Sequence, residues 1–360
     1  MPSPPSRPAA TRQSHPPPHK VCAAITRRAS AADRGEVDLS ADFDALVESG
    51  LLAQLTSACL PGGDTLAGCD ILRALGRASL SVGRLVEGHV NALRLIGLYG
   101  QPAQQVPVSG PVLHGVWGAD DDPPARITRQ EGKYAHLSGG KKFCSGLGLV
   151  GRAVVTVQND EGAAQMLLVD VSDPGRADPA SWQVSGMRAT ASGRYDLEGV
   201  QAGLLGQPGD FLREPHFEGG IWRYLALHTG GLEALAEAVR RKLGATPPPL
   251  QAARLVDLVT AADTARLWTE AAALAVECPH PAPNAVARVL MARQAVEIAC
   301  QQGIALAERA AGTAAFASGT EIDRIRRDLA FFLRQADLDG KMQRAASALA
   351  GADQPVGEMW

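Results

Sequence analysis

A chain of 360 residues, 46% apolar and 20% charged, is long enough for two or three structural units and has the composition of an ordinary globular protein. Its formal charge of −3 and pI near 6.3 give no basic footprint for a nucleic acid, and no run of about 18 apolar residues is present to span a membrane. Six dispersed cysteines without a C-x-x-C pair, in a chain that needs no disulfide staples, predict reduced thiols and a cytoplasmic location.

Residues 1–35 open with seven prolines in twenty positions and lack an apolar h-region, which predicts a disordered leader rather than a secretory signal. From 36 to 110 the pattern is helical. Phe43, Leu46, Val47, Leu51 and Leu52 share one face, and after the Pro61-Gly62-Gly63 break Ile71, Leu72, Leu75, Val82, Leu85, Val86, Leu93 and Ile96 predict a second segment that Gly100 ends. Gly76, Gly83 and Gly88 weaken that segment unless something packs closely against it.

From 111 to 205 the period changes. Short β-branched runs at 153–157 and 166–171, bounded by Asn159-Asp160-Glu161-Gly162 and Asp173-Pro174-Gly175, predict a small antiparallel β domain. From 215 to 350 four helices are expected near 219–243, 250–277, 284–316 and 321–349. Proline breaks at 247–249 and 279–283 favour an antiparallel four-helix bundle, followed by a tail at 351–360. The predicted fold is α+β: a helical segment, a β domain, then a bundle.

The string Gly146-Leu147-Gly148-Leu149-Val150-Gly151 matches G-x-G-x-x-G, but a strand pattern follows where a dinucleotide site requires a helix N-terminus. No histidine has Cys, Asp or Glu at metal-ligand spacing, and no nucleophile elbow or phosphate loop is present. Chemistry is therefore expected from an organic cofactor rather than from a metal.

The block order and several strings resemble the acyl-CoA dehydrogenase superfamily of flavoproteins. They are Leu137-Ser138-Gly139-Gly140-Lys141-Lys142-Phe143-Cys144-Ser145-Gly146, Ser185-Gly186-Met187-Arg188-Ala189-Thr190, Arg240-Arg241-Lys242-Leu243-Gly244, and the stretch from Gly312 to Asp328. The resemblance implies FAD bound with Phe143 beside the isoalloxazine ring and Cys144 and Ser145 in the same segment. The Ser145 hydroxyl and amide would stabilise charge on the reduced ring. It also implies Arg240 on the diphosphate across a subunit interface, and Gly312 and Thr313 in a cofactor-binding turn of a homodimer or homotetramer.

The activity implied is desaturation of an acyl-CoA or similar small-molecule substrate, with electrons passed to an acceptor that the sequence does not identify. Three departures matter, one being an N-terminal helical block shorter than the family's, which normally walls the acyl pocket and so counts against a fatty acyl-CoA substrate. The family's usual catalytic glutamate falls on Ala336, which cannot take a proton; Glu218, near the start of the first bundle helix, is the alternative base. The loop that normally bonds flavin O2 and N1 is replaced by His114-Gly115-Val116-Trp117-Gly118-Ala119-Asp120, without its hydroxyl donors. A flavin-dependent monooxygenase of the same fold, with Ser145 or His228 in a polar role, or a subunit without catalysis therefore remain alternatives.

Overall fold

The computed structural model describes residues 19–159, 161–334 and 337–359. Among the described residues five helices come first: α1 (His19–Asp33), α2 (Ser40–Glu48), α3 (Leu51–Cys59), α4 (Thr65–Ala78) and α5 (Leu80–Tyr99). The expectation of disorder through residue 35 fails for 19–33; residues 1–18 lie outside the described residues. Past the last proline of the leader the chain is alanine-rich, and Ile25, Ala29 and Ala32 form a fully buried stripe. The α1 end is tied down by Asp33, whose carboxylate accepts from Arg327 at 2.7 Å.

The predicted second segment is two helices, not one. Ser79 leaves the helical region (φ −163°) and its hydroxyl accepts from the Val82 amide at 3.4 Å, ending α4 and capping α5. The glycines of this region divide by environment. A Cβ on Gly76 would stand 2.4 Å from the Leu227 carbonyl oxygen and one on Gly83 2.5 Å from the Leu227 side chain, whereas on Gly88 the nearest atom would be 3.5 Å away. The first two allow contact with the bundle; the third has no such partner.

The described residues of the middle of the chain form nine strands: β1 (Leu113–Trp117), β2 (Arg126–Glu131), β3 (Tyr134–Ser138), β4 (Gly140–Lys141), β5 (Val150–Gln158), β6 (Ala164–Asp170), β7 (Ala177–Asp178), β8 (Arg194–Asp196) and β9 (Gln201–Leu205). Six form one sheet, ordered β1-β5-β6-β9-β3-β2, and β4-β8-β7 form another. Pairing is antiparallel except for β1 and β5, which run parallel, the crossover that a parallel pair requires being the segment that carries β2, β3 and β4. The two β-branched runs pair with each other as β5 and β6, with Val154 opposite Leu168.

The remainder is α6 (Trp222–Leu243), α7 (Pro249–Glu277), α8 (Ala285–Ala311), α9 (Glu321–Phe332) and α10 (Leu338–Ala350). The expected fourth bundle helix is broken in two; Asp337 stands in the left-handed region (φ 57°) immediately before α10. The expected tail also folds back in part, with a 3₁₀ turn at Val356–Glu358 and a buried Met359. Helix α9 carries the β domain: the Met187 amide donates to Asp328 at 2.6 Å, and a Cβ on Gly186 would meet the Arg327 carbonyl oxygen at 2.2 Å. Among the described residues, no helix is long and apolar enough to cross a membrane.

Candidate functional site

The segment before β5 builds an aromatic ledge. Phe143 has φ 57°, a conformation that costs a bulky residue about 1–3 kcal/mol, and its ring is 61% exposed. It meets Trp182 edge-on at 6.2 Å, and Trp182 in turn meets Phe331 of α9 at 5.5 Å. The two residues that follow Phe143 differ in burial. Cys144 is fully buried in the core, its thiol pushed up by desolvation, and its amide bonds the Gly193 carbonyl at 2.9 Å. Cys144 therefore presents no side chain to a ligand, against its grouping with Phe143 and Ser145 as a cofactor contact.

Ser145 is half-buried and its hydroxyl accepts from Ser192 at 3.2 Å, Ser192 being paired with Thr190 at 2.9 Å. The Ser145 carbonyl accepts from the Trp117 indole at 3.2 Å, which fixes the loop against the end of β1.

Beside β1, between α5, α6 and α10, lies a cavity of about 230 Å³. Val116 supplies its β-domain wall, one residue from the Trp117 contact with Ser145. Leu95, Leu98, Phe211, Phe217 and Ile221 make an apolar side; Glu87, Asn91, Arg94 and Arg223 make a charged one. Glu218 also lines the cavity, and it is buried and held by Arg344 of α10, whose Nε stands 2.9 and 3.1 Å from its two carboxylate oxygens. Lys341, one turn earlier on α10, stands in the same wall with its pKa lowered by burial.

The other predicted residues are elsewhere. Arg240, at the exposed end of α6, pairs with Glu237 at 2.6 Å, and that pairing raises its pKa. Gly312 (φ 61°) and Thr313 open the exposed 3₁₀ turn Gly312–Phe316 after α8. Arg241 bonds Glu321 at the start of α9, so Arg240 lies by the end of α9 opposite Phe331. Ala336 lies outside the described residues. His228 is buried between Tyr224 (5.4 Å) and Phe332 (4.5 Å), its pKa lowered to about 3 by desolvation and by Arg293. That position leaves it neutral and within the bundle core.

Sequence reasoning missed Asn91, Arg94, Arg223 and Lys341. The available signal was phase: Glu87, Arg94 and Arg223 fall among apolar positions of α5 and α6 that are otherwise buried, and a charge there requires a partner.

No protein-family model matches the chain, and no curated protein matches its sequence. Solved structures do match its architecture. FMN-bound TdsC from Paenibacillus sp. A11-2 superposes with a TM-score of 0.78 at 19% identity, over 93% of this chain and 96% of that one; the same protein is named a dibenzothiophene monooxygenase. Butyryl-CoA dehydrogenase from Megasphaera elsdenii gives 0.75 at 15% identity over 92% and 98% of the two chains. Methanesulfinate monooxygenase MsuC from Pseudomonas fluorescens gives 0.74 at 20% identity over 94% and 96%. The chain has the acyl-CoA dehydrogenase fold, a fold shared by dehydrogenases and monooxygenases.

Proposed function

We propose that the chain is a flavin-dependent oxidoreductase whose substrate occupies the cavity beside Val116. The observation that carries this reading is the ledge of Phe143: a largely exposed aromatic ring, kept in a costly backbone conformation, two residues from the Ser145 hydroxyl. A flat apolar ring system fits that ledge, and TdsC, of the same fold, holds FMN. Phe143 would cover the ring, and Ser145, oriented by Ser192, would donate to it. A flavin there supplies two-electron redox chemistry. FAD rather than FMN would draw on Arg240, Gly312 and Thr313 of a second copy, since the first is exposed at the far end of α9. A homodimer or homotetramer also suits the exposed Leu250, Val256, Val259, Leu267 and Leu274 of α7.

Of the two chemistries of this fold, the Arg344 clamp favours oxygenation over acyl-thioester desaturation. Desaturation needs a carboxylate free to take an α-proton, and both oxygens of Glu218 are engaged by the Arg344 guanidinium. Monooxygenation needs no such base. Anaerobic titration of the flavin-loaded chain with a panel of acyl-CoAs tests the choice. The expected result is no bleaching by any thioester, with oxygen consumed once an external reductant supplies electrons. Bleaching by one of them, abolished in Glu218→Gln, would establish desaturation instead.

A further inference from the structure

The charged side of the cavity is unbalanced. Arg94 and Arg223, each almost fully buried, converge on the single carboxylate of Glu277, at 2.9 and 3.3 Å. Glu277 also accepts from the Trp222 indole at 3.0 Å. The other carboxylates that line the cavity, Glu87 and Glu218, are matched by partners of their own, Arg84 at 2.6 Å and Arg344 at 2.9 Å. His216, 3.4 Å from Arg94, has its pKa lowered, by burial first and then by Arg94, and brings no negative charge.

Two guanidiniums thus face one carboxylate in a desolvated place, where an uncompensated charge is expensive. Arg94 Nε has no hydrogen-bond partner among the described residues. The place for Arg223 is made by a glycine: a Cβ on Gly220 would stand 2.2 Å from the Arg223 Nη2 atom. The remaining wall is apolar, formed by Leu95, Leu98, Phe211, Phe217 and Ile221.

We propose that this cavity binds a small organic acid, with its carboxylate toward Arg94 and Arg223 and its apolar body against Leu95, Phe211 and Phe217. A carboxylate matches the planar fork of a guanidinium and supplies the missing negative charge. Arg94 and Arg223 are then the residues that select an anionic substrate over a neutral one. That the bound acid is the molecule oxidised rests on the flavin reading; that the cavity binds it does not.

The test is calorimetric titration of the purified full-length chain with benzoate and with its neutral counterpart, benzamide. Benzoate is expected to bind saturably and at least tenfold more tightly than benzamide. Arg94→Met and Arg223→Met should each weaken benzoate at least tenfold and leave benzamide little changed. Should either variant fail to fold, the benzoate–benzamide comparison on the unaltered chain decides alone. Equal affinity for the two probes, no saturable benzoate binding, or folded variants that bind benzoate as before would each overturn the proposal. Flavin binding is scored separately by absorption, so a chain that binds benzoate but no flavin contradicts the redox reading and not this one.

Discussion

Between about pH 7.5 and about pH 5 the chain is expected to lose about 3 kcal/mol of folding stability. Burial holds His89 and His228 neutral, with pKa values lowered to about 3 from 6.5. His114 is lowered as well, and the Nε2 atoms of all three rings lack a partner among the described residues. A depressed pKa means that the unfolded chain takes up a proton the native state refuses. Stability is therefore complete above about pH 6.5 and falls as pH drops toward 3, by about 1.4 kcal/mol per unit for each of His89 and His228.

Asp328 opposes this over part of the range. Its carboxyl is pushed up to about 6, chiefly by desolvation, so its contribution is present at low pH and lost as pH rises through 6. At about pH 5 two histidines cost roughly 4 kcal/mol and Asp328 returns roughly 1. Urea midpoints at the two pH values check the net loss, and His228→Phe should make the slope shallower. Equal midpoints would contradict it.

The second large effect is steric. Gly230 of α6 faces α4 so closely that an added Cβ would stand 2.2 Å from the Arg73 carbonyl oxygen, and Gly76 makes the reciprocal approach to Leu227. No rotamer change relieves a Cβ against backbone. Gly230→Ala should therefore cost about 3 kcal/mol or more, although alanine is the better helix former by about 1 kcal/mol. Gly97→Ala in α5, where nothing lies within 4 Å of the new Cβ, serves as the control and should be neutral or slightly stabilising. Equal thermal midpoints for the two variants would show that α4 and α6 do not cross in contact.

That crossing was partly legible in the sequence. Glycines at 76 and 83 in an otherwise helical run demanded a close neighbour, although the run did not say that Leu227 would be it. The β5–β6 pair was legible because Val154, Val155, Leu167 and Leu168 mark strands and polar turn residues bound them. Helix α1 was obscured because the proline-rich leader runs directly into it; only the spacing of Ile25, Ala29 and Ala32 betrayed a buried face. The division of α4 from α5 hung on one residue, Ser79, whose capping hydroxyl has no effect on apolar periodicity.

The site was less legible. Phe143 and Ser145 were singled out through a resemblance, and their place beside a flavin is a proposal. Arg94, Arg223 and Glu277 come from α5, α6 and the end of α7, and only folding brings three charges so distant in sequence into contact, two of them on the cavity wall. The Arg344 clamp on Glu218 joins residues 126 positions apart, a contact no local pattern encodes.

The central claim is tested most directly by absorption spectroscopy of the purified chain, after incubation with FMN or FAD and removal of the unbound flavin. The account predicts a retained flavin band, lost or strongly weakened in Phe143→Ala while that variant keeps the thermal midpoint of the unaltered chain. A chain that stays colourless with both flavins would contradict it, leaving the fold in place without the chemistry proposed for it.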